Sequence, residues 1–238
     1  MVDYQVALRC ARLSQEVYQE FTDIQFSSLS KAKVTLFESE ANSGVDTQVA
    51  LLHDTAQELL YIVFRGSDKD IDWITNLRMR QKVYPYGDEN STDVRFHLGF
   101  MDAYFAVREP LLDYIRKIPQ YKLIFTGHSL GGALATIAIL DTQYNITQHN
   151  EQLIEYYTFG SPRVGNDALI ASFHKRVPLN YRFVYGRDIV AHVPRVWQGY
   201  RHAEVYYSLG PWFSWKIISR RLNDHRINNY INALAEKV

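Results

Sequence analysis

The segment at residues 125–135, FTGHSLGGALA, constrains the fold of this chain more than any other stretch. An apolar segment runs through the pattern Gly-His-Ser-Leu-Gly at residues 127–131 and into a row of small residues. A strand that turns sharply into a helix needs glycines here, because larger side chains two residues either side would collide with the strand or helix. The turn pushes the serine hydroxyl into a cleft, beside N–H groups that attract negative charge. The segment predicts a reactive Ser129; a serine in a merely structural turn is the alternative.

Strand-like and helix-like segments alternate along the rest of the chain. Helical periodicity predicts helices over residues 4–21, 99–118, 131–140 and 226–238, and Pro110 is expected to kink or restart the second of them. A hairpin with the turn DTAQE is expected over residues 49–66. Further strands are expected in AKVTLFES, YKLIFTG, EYYTF, YRFVYG and RHAEVYYSLG. This alternation predicts one α/β domain over residues 1–238, with a mostly parallel sheet covered on both faces. The early hairpin adds antiparallel pairing at one side.

Composition excludes several classes of protein. Lys plus Arg and Asp plus Glu both total 26, so no basic excess indicates a nucleic-acid partner. The short basic clusters at residues 78–82 and 219–226 are interpreted as solvated faces. The longest apolar run, residues 133–140, is far shorter than a transmembrane helix. Ligands at metal-binding spacing are missing, so neither a metal nor an organic cofactor is expected.

Cysteine content and the N-terminus bear on localisation. Cys10 is the only cysteine, so no intrachain disulfide is possible. Residues 1–18 alternate apolar and charged residues and lack the apolar core of a signal peptide. We expect a soluble protein, either cytoplasmic or secreted after removal of a leader. Oligomeric state is not predicted.

A serine nucleophile needs a base, and in this topology the acid and then the histidine follow the serine along the chain. Three histidines lie downstream of the late strands. His192 and His202 are expected to be structural, whereas His225 lies in the polar loop NDHRINNY just before the closing helix. His225 is therefore the predicted base. His97 and His128 are expected to serve in packing and hydrogen bonding.

Three carboxylates compete for the role of the acid that orients the base. Asp188 directly follows the strand YRFVYG and lies at the end of the sheet where ligands bind. Asp224 is adjacent to His225 in the chain and could not easily reach its Nδ1 atom. Asp167 is interpreted as a surface or capping residue in a loop. Asp188 is the predicted acid.

With these residues in hand, the chain resembles the class 3 (fungal-type) triacylglycerol lipases of the α/β-hydrolase superfamily. The likeness runs from about residue 59 to residue 230 and includes VFRGSD, DWITNL, HLGFMDAY, FTGHSLGGALA, TFGSPRVGN, GRDIVAHVP and DHRINNYI. It implies an α/β-hydrolase fold and the same triad, Ser129, Asp188 and His225. Secreted fungal relatives carry disulfides, which this chain cannot form.

The resemblance also implies an oxyanion hole and a lid. Backbone N–H groups of Ser67 and Leu130 would bind the oxyanion, with Asn76 supporting Ser67 where some members have Asp. The lid region would cover about residues 69–86, with Ile71, Trp73, Ile74 and Leu77 on or beside the apolar face of a short helix in KDIDWITNL. An ordinary surface helix is the alternative for this segment. The aromatic segment GPWFSWKII would line an acyl site or fill core.

These features favour a serine carboxylic ester hydrolase, with a triacylglycerol lipase as the leading interpretation. Its partners would be an ester or lipid substrate and, transiently, a lipid–water interface. A small-ester or feruloyl-type esterase on the same fold is the alternative within the enzymes. A non-catalytic binding protein that kept the fold is the alternative outside them. Chain-length preference is not predicted.

Overall fold

The computed structural model of the chain describes residues 2–40, 46–67, 80–86, 93–202, 206–211 and 222–238. Its strands are β1 Lys33–Glu40, β2 Asp46–Asp54, β3 Leu59–Phe64, β4 Gln81–Val83, β5 Arg95–His97, β6 Lys122–His128, β7 Ile154–Phe159, β8 Asn180–Tyr185 and β9 Tyr207–Leu209. Its longer helices are α1 Tyr4–Glu16, α2 Leu98–Arg116, α3 Leu130–Thr142, α4 Asp167–Arg176 and α5 Ile227–Ala235. Short helical turns cover Ser27–Leu29, Gln143–Thr147, Gln148–Asn150, Val190–His192 and Val196–Gln198.

Seven of the described strands form one sheet in the order β1-β2-β3-β6-β7-β8-β9. The pairs β1–β2 and β2–β3 are antiparallel, and every pair from β3 to β9 is parallel. The predicted hairpin and the mostly parallel sheet are therefore confirmed. Because the parallel strands all end at one edge, residues 65–67, 129, 160 and 186 begin the connections along this carboxyl edge of the sheet.

Two apolar clusters cover the two faces of the sheet. One contains α2 and α3, with buried Leu111, Ile115 and Ile137 packed on the central strands. The other contains α1 and α5, with Leu13 and Leu234 on the opposite face. The central strands β3 and β6 are buried along almost their whole length, as expected for strands covered on both faces. The sheet therefore lies between the two apolar clusters, and the elbow segment at residues 127–131 is held between them.

Three elements differ from the sequence predictions. Helix α1 ends at Glu16 and not near residue 21, because the Glu16 carboxylate accepts hydrogen bonds from Ser27 and Ser28 where the chain folds back. Helix α2 continues through Pro110 to its end at Arg116, so the helix does not restart there. Helix α4 was missed, since Asp167 was interpreted as a loop residue.

Residues 80–86, the described end of the predicted lid region, contain a strand. β4 pairs antiparallel with β5, and the Tyr86 ring is buried against Phe96 and Tyr144. The Ser172 hydroxyl donates to the Tyr86 carbonyl. These contacts attach residues 80–86 to the core. In the described part of the chain, no helix combines the length and apolar character required to cross a bilayer.

Candidate active site

Ser129 occupies the turn between β6 and α3. Its φ of 57° and ψ of −128° lie outside the regions that residues with side chains usually adopt. Such a conformation costs about 1–3 kcal/mol and persists only where the surrounding structure enforces it. Here the Ser129 N–H donates to the Phe159 carbonyl at 3.0 Å, and the Ser129 carbonyl accepts from Gly132 N–H at 3.0 Å. The neighbouring strand and the helix together hold the strained serine in place.

The glycines of the elbow are required by close backbone contacts. A Cβ on Gly127 would lie 2.3 Å from the carbonyl carbon of Gly131. A Cβ on Gly131 would lie 2.2 Å from the Phe64 carbonyl oxygen at the end of β3. Both distances are far below contact, so only glycine lets α3 begin so close to the sheet. The close backbone contacts expected from the glycine pattern are therefore present in the fold.

Asp188 and His225, 37 positions apart, form a buried hydrogen-bonded pair. His225 Nδ1 lies 2.8 Å from Asp188 Oδ2, and the two side chains are 3% and 0% exposed. The Tyr230 hydroxyl donates to the same carboxylate oxygen at 2.5 Å, and Val190 N–H donates to Oδ1 at 2.8 Å. Since a carboxylate only accepts, Nδ1 carries the proton and Nε2 is left with a free lone pair. This is the tautomer that a general base needs.

The two atoms that would exchange a proton during catalysis are Ser129 Oγ and His225 Nε2. Both are buried, and neither has a hydrogen-bond partner among the described residues. A buried polar atom without a partner costs free energy, and in a native structure it calls for an explanation such as a catalytic role. The structure therefore places the serine and the imidazole at one edge of the sheet, without a direct hydrogen bond between them.

His128 links the serine to the predicted base. Its ring stacks on the His225 ring with centroids 4.5 Å apart, and its Nε2 lies 2.7 Å from the His225 carbonyl oxygen. Because a carbonyl only accepts, Nε2 is the protonated nitrogen; Nδ1, 3.0 Å from the Tyr18 hydroxyl, then accepts from it. Burial, and then the nearby His225, lower the pKa of His128 well below its usual value, so this ring stays neutral. Hydrogen bonding by His128 was expected, but its contact with His225 was not.

The competing candidates have other partners. Asp224 accepts the Arg187 N–H at 3.0 Å. His202 lies outside any strand, contrary to the strand pattern expected there, and its Nε2 is 2.7 Å from the Ala191 carbonyl. Asp167 begins α4, after the N-cap Asn166. None of these side chains belongs to the Asp188–His225 pair.

Two residues of the site were missed by the sequence reasoning. Gly160, at φ 59°, leaves room for the pair, because a Cβ there would lie 2.4 Å from Asp188 Oδ2 and 3.0 Å from His225 Nδ1. Tyr230 is fully buried, and burial and the neighbouring Asp188 raise its pKa, so its hydroxyl keeps the proton that it donates. For Gly160, the only available signal in the sequence was a glycine directly after the apolar segment EYYTF. The tyrosine gave no local signal.

The predicted oxyanion donors are Leu130, within the elbow, and Ser67, in the connection that follows β3. Leu130 is the first residue of α3, so its N–H has no acceptor within the helix. Ser67 follows Gly66, whose Cα is packed so closely that a Cβ would lie 2.8 Å from the His128 carbonyl oxygen. Arg65 fixes this strand end by donating to Gln48 Oε1 at 2.9 Å. The connection after β3 is therefore held directly beside the elbow.

The remaining predicted site residues lie outside the described residues. These are the oxyanion support Asn76, the lid residues Ile71, Trp73, Ile74 and Leu77, and most of the aromatic segment GPWFSWKII. Within the described ranges, no group of three or more His, Cys, Asp or Glu side chains is arranged to hold a metal ion.

The chain matches known proteins over most of its length. The family described as Lipase (class 3) matches residues 61–197, a range that contains Ser129 and Asp188 but not His225. A lipase of Rhizomucor miehei is 35% identical over 167 residues, which cover 68% of this chain and 45% of that protein. The secreted mono- and diacylglycerol lipase 1 of Fusarium solani is 32% identical over 171 residues, which cover 70% of this chain and 48% of that protein.

The same similarity extends to solved structures. A deletion mutant of the Rhizomucor miehei lipase propeptide complex superposes with a TM-score of 0.76 at 27% identity, covering 87% of this chain and 67% of that one. The chain spans about half the length of the curated relatives it matches. The fold is that of the α/β-hydrolases, and the chain belongs to the class 3 lipase family.

Proposed function

We propose that the protein is a serine carboxylic ester hydrolase that cleaves acylglycerol esters through an acyl-enzyme. The observation that carries the proposal is the buried Asp188–His225 hydrogen bond at 2.8 Å, at the sheet edge where Ser129 is held in a strained turn. The names of the matched relatives, lipase and mono- and diacylglycerol lipase, support an acylglycerol substrate. Ser129, Asp188 and His225 are the proposed triad.

Acylation follows from the tautomer of His225. Ser129 Oγ attacks the ester carbonyl carbon while its proton moves to His225 Nε2. Asp188, which accepts from Nδ1–H, stabilises the imidazolium that forms. The carbonyl oxygen becomes negative and accepts from the N–H groups of Ser67 and Leu130; one such donor is typically worth about 100- to 1000-fold in rate. The C–O bond then breaks, and Nε2 returns the proton to the leaving alcohol.

Deacylation repeats these steps with water. His225 Nε2 takes a proton from water as its oxygen attacks the acyl-serine carbonyl. The second tetrahedral intermediate collapses, the bond from carbon to Ser129 Oγ breaks, and Oγ recovers the proton from Nε2. The products are a carboxylic acid, ionised at neutral pH, and the free enzyme.

Labelling with a fluorophosphonate tests the nucleophile. The folded protein is expected to take up one label at Ser129, and Ser129→Ala is expected to lose the label and about 10⁴- to 10⁶-fold in ester turnover. Ser161→Ala is the matched control, since Ser161 is buried at the same edge and its hydroxyl donates to the Pro162 carbonyl at 3.3 Å. A folded protein that takes up no label would support the non-catalytic binding protein instead.

Turnover of tributyrin across its solubility limit separates a lipase from a small-ester or feruloyl-type esterase. A lipase with a lid in the region of residues 69–86 is expected to increase its rate abruptly once substrate forms a separate phase. A smooth hyperbola below that limit favours the esterase and counts against the lid. A series of p-nitrophenyl esters from acetate to palmitate then gives the chain-length preference.

A further inference from the structure

Trp197 is the most exposed large apolar side chain among the described residues, at 79%. Val196 beside it is 45% exposed, and both lie in the short turn Val196–Gln198. A single exposed apolar residue is common on protein surfaces and needs no explanation. What distinguishes Trp197 is its location and the charges around it.

The segment that carries Trp197 is fixed at the carboxyl edge of the sheet. Residues 189–202 follow Asp188 beyond the end of β8 and pack on the connection that leaves β7. Arg163 N–H donates to the Val193 carbonyl at 2.8 Å, and Arg201 N–H donates to the Gly165 carbonyl at 2.8 Å. These hydrogen bonds hold the segment in place, so the Trp197 indole lies at the same carboxyl edge of the sheet as Ser129.

Three arginines lie in or beside the segment that carries the exposed indole. We call Arg163, Arg195, Val196, Trp197 and Arg201 the arginine–tryptophan rim. The Arg195 guanidinium lies 5.3 Å from the Trp197 ring centroid, and Arg201 donates to the Val196 carbonyl at 2.9 Å.

The positive charges of the rim repel one another. Burial lowers the pKa of Arg163, and the charges of Arg195 and Arg201 lower it further. Among the described residues, Arg201 Nε forms a salt bridge with Oδ1 of the exposed Asp167 at 3.1 Å. The Arg163 guanidinium donates to the His192 and Pro194 carbonyls, and an external anion would relieve the repulsion among the three arginines.

We propose that the arginine–tryptophan rim docks the protein on an anionic lipid surface, an inference that rests on the proposed ester hydrolase function. The indole enters the interfacial layer, as tryptophans do at membrane surfaces, and the guanidinium groups pair with phosphate or carboxylate head groups. Hydrolysis supplies such charge, since each ester cleaved by water leaves a fatty-acid carboxylate at the interface. The product would therefore strengthen the attachment of the enzyme to the surface that holds its substrate.

Binding to vesicles tests the rim without any turnover. Ether-linked phosphatidylcholine, alone or in equimolar mixture with ether-linked phosphatidylglycerol, offers no ester to cleave. The wild-type protein is expected to bind the anionic vesicles more tightly and to lose that advantage at high salt. Trp197→Ala is expected to weaken binding to the anionic vesicles about tenfold. Arg195→Gln is expected to weaken it about fivefold, and only on the anionic vesicles.

Matched controls come from the opposite edge of the sheet. Leu153, 64% exposed, directly precedes β7, and Arg116 ends α2 with its side chain paired to Asp113. Leu153→Ala and Arg116→Gln are expected to bind like the wild type. The proposal is overturned if Trp197→Ala binds as the wild type does, if a control variant loses as much, or if the two vesicle types bind equally.

Fluorophosphonate labelling separates this proposal from the proposed function. Every variant is expected to label at Ser129 and to hydrolyse dissolved p-nitrophenyl butyrate at the wild-type rate, which also shows that it is folded. Loss of labelling in the wild-type protein would end the hydrolase proposal whatever the vesicles show. Labelling with no preference for anionic vesicles would end the docking proposal alone.

Discussion

Asp141 and Asp188 are both fully buried carboxylates, and they differ in the groups that face them. Asp141, in the last turn of α3, accepts from Arg108 Nε at 2.7 Å and from the Tyr104 hydroxyl at 2.6 Å. Asp188 accepts from the Tyr230 hydroxyl in the same way, but the side-chain nitrogen that faces it belongs to His225. The two carboxylates lie near opposite ends of one helix, which is about 20 Å long.

The difference lies in when the positive charge is present. A guanidinium is always charged, so Arg108 neutralises Asp141 permanently and the pair binds α2 to α3. An imidazole near neutral pH gains its charge when it takes a proton, so Asp188 is compensated most fully during the reaction. The comparison predicts that the same substitution will damage stability at one site and activity at the other.

Asp188→Asn is expected to give the largest effect. The amide would hold His225 in the wrong tautomer, which in serine hydrolases of this type costs about 10⁴-fold in kcat, or about 5 kcal/mol of transition-state stabilisation. The unfolding midpoint is expected to change little, because the amide fills the same space and an imidazole, unlike a guanidinium, can stay neutral when its carboxylate partner is removed. Steady-state hydrolysis of p-nitrophenyl butyrate and thermal unfolding measure the two quantities. Activity near that of the wild type would remove Asp188 from the triad.

Asp141→Asn is the matched substitution at the structural site. It leaves Arg108, whose side chain is only 20% exposed, with the exposed Glu109 as its one carboxylate partner among the described residues. Breaking a buried pair on one side is expected to lower the free energy of unfolding by about 3 kcal/mol. Urea denaturation measures this loss, and kcat of the folded variant is expected to stay at the wild-type value. A large fall in kcat with unchanged stability would contradict the assignment of Asp141 as structural.

His128→Phe sharpens the comparison with a smaller effect. The phenyl ring can still stack on His225 but cannot donate to its carbonyl oxygen, so the base loses one of its positional constraints. A bond of this kind contributes about 1 kcal/mol net, and leaving its acceptor unpaired adds to the loss. We expect kcat to fall about tenfold with KM unchanged.

His202→Phe is the control for that substitution. It removes a hydrogen bond of the same length and kind, from a partly buried imidazole to the Ala191 carbonyl. Both variants are expected to lose similar stability, whereas the kcat effect is expected only in His128→Phe. Equal losses of kcat would mean that His128 acts through general stability and does not position His225.

Much of the fold followed from local pattern. The apolar runs of β3 and β6, the hairpin turn after Asp54 and the helix at residues 227–235 were all expected, because each depends on periodicity and turn chemistry within a short window. Helix α4 could also have been found. Its N-cap Asn166, the acidic Asp167 in its first turn and its basic last turn are typical sequence signals for the start and end of a helix.

Other features needed contacts between distant segments. Helix α1 stops at Glu16 because serines eleven and twelve residues later bond its carboxylate, and no pattern within the helix announces this. The space beside Gly160 matters only because Asp188 and His225 come from two other segments. The stacking of His128 on His225 joins residues 97 positions apart. Sequence spacing does not encode such pairings.

The sequence by itself determined the elbow, since backbone strain and close approach at residues 127–131 are local properties that only certain residue types satisfy. The order of strands and helices along the chain also limited the candidates for the catalytic acid and the catalytic base to a few residues. The tertiary structure decided which carboxylate meets which imidazole, which histidine stacks behind the base, and that Trp197 is exposed at the rim. These depend on how the connections pack at the carboxyl edge, and hence on the three-dimensional arrangement of segments far apart in the chain.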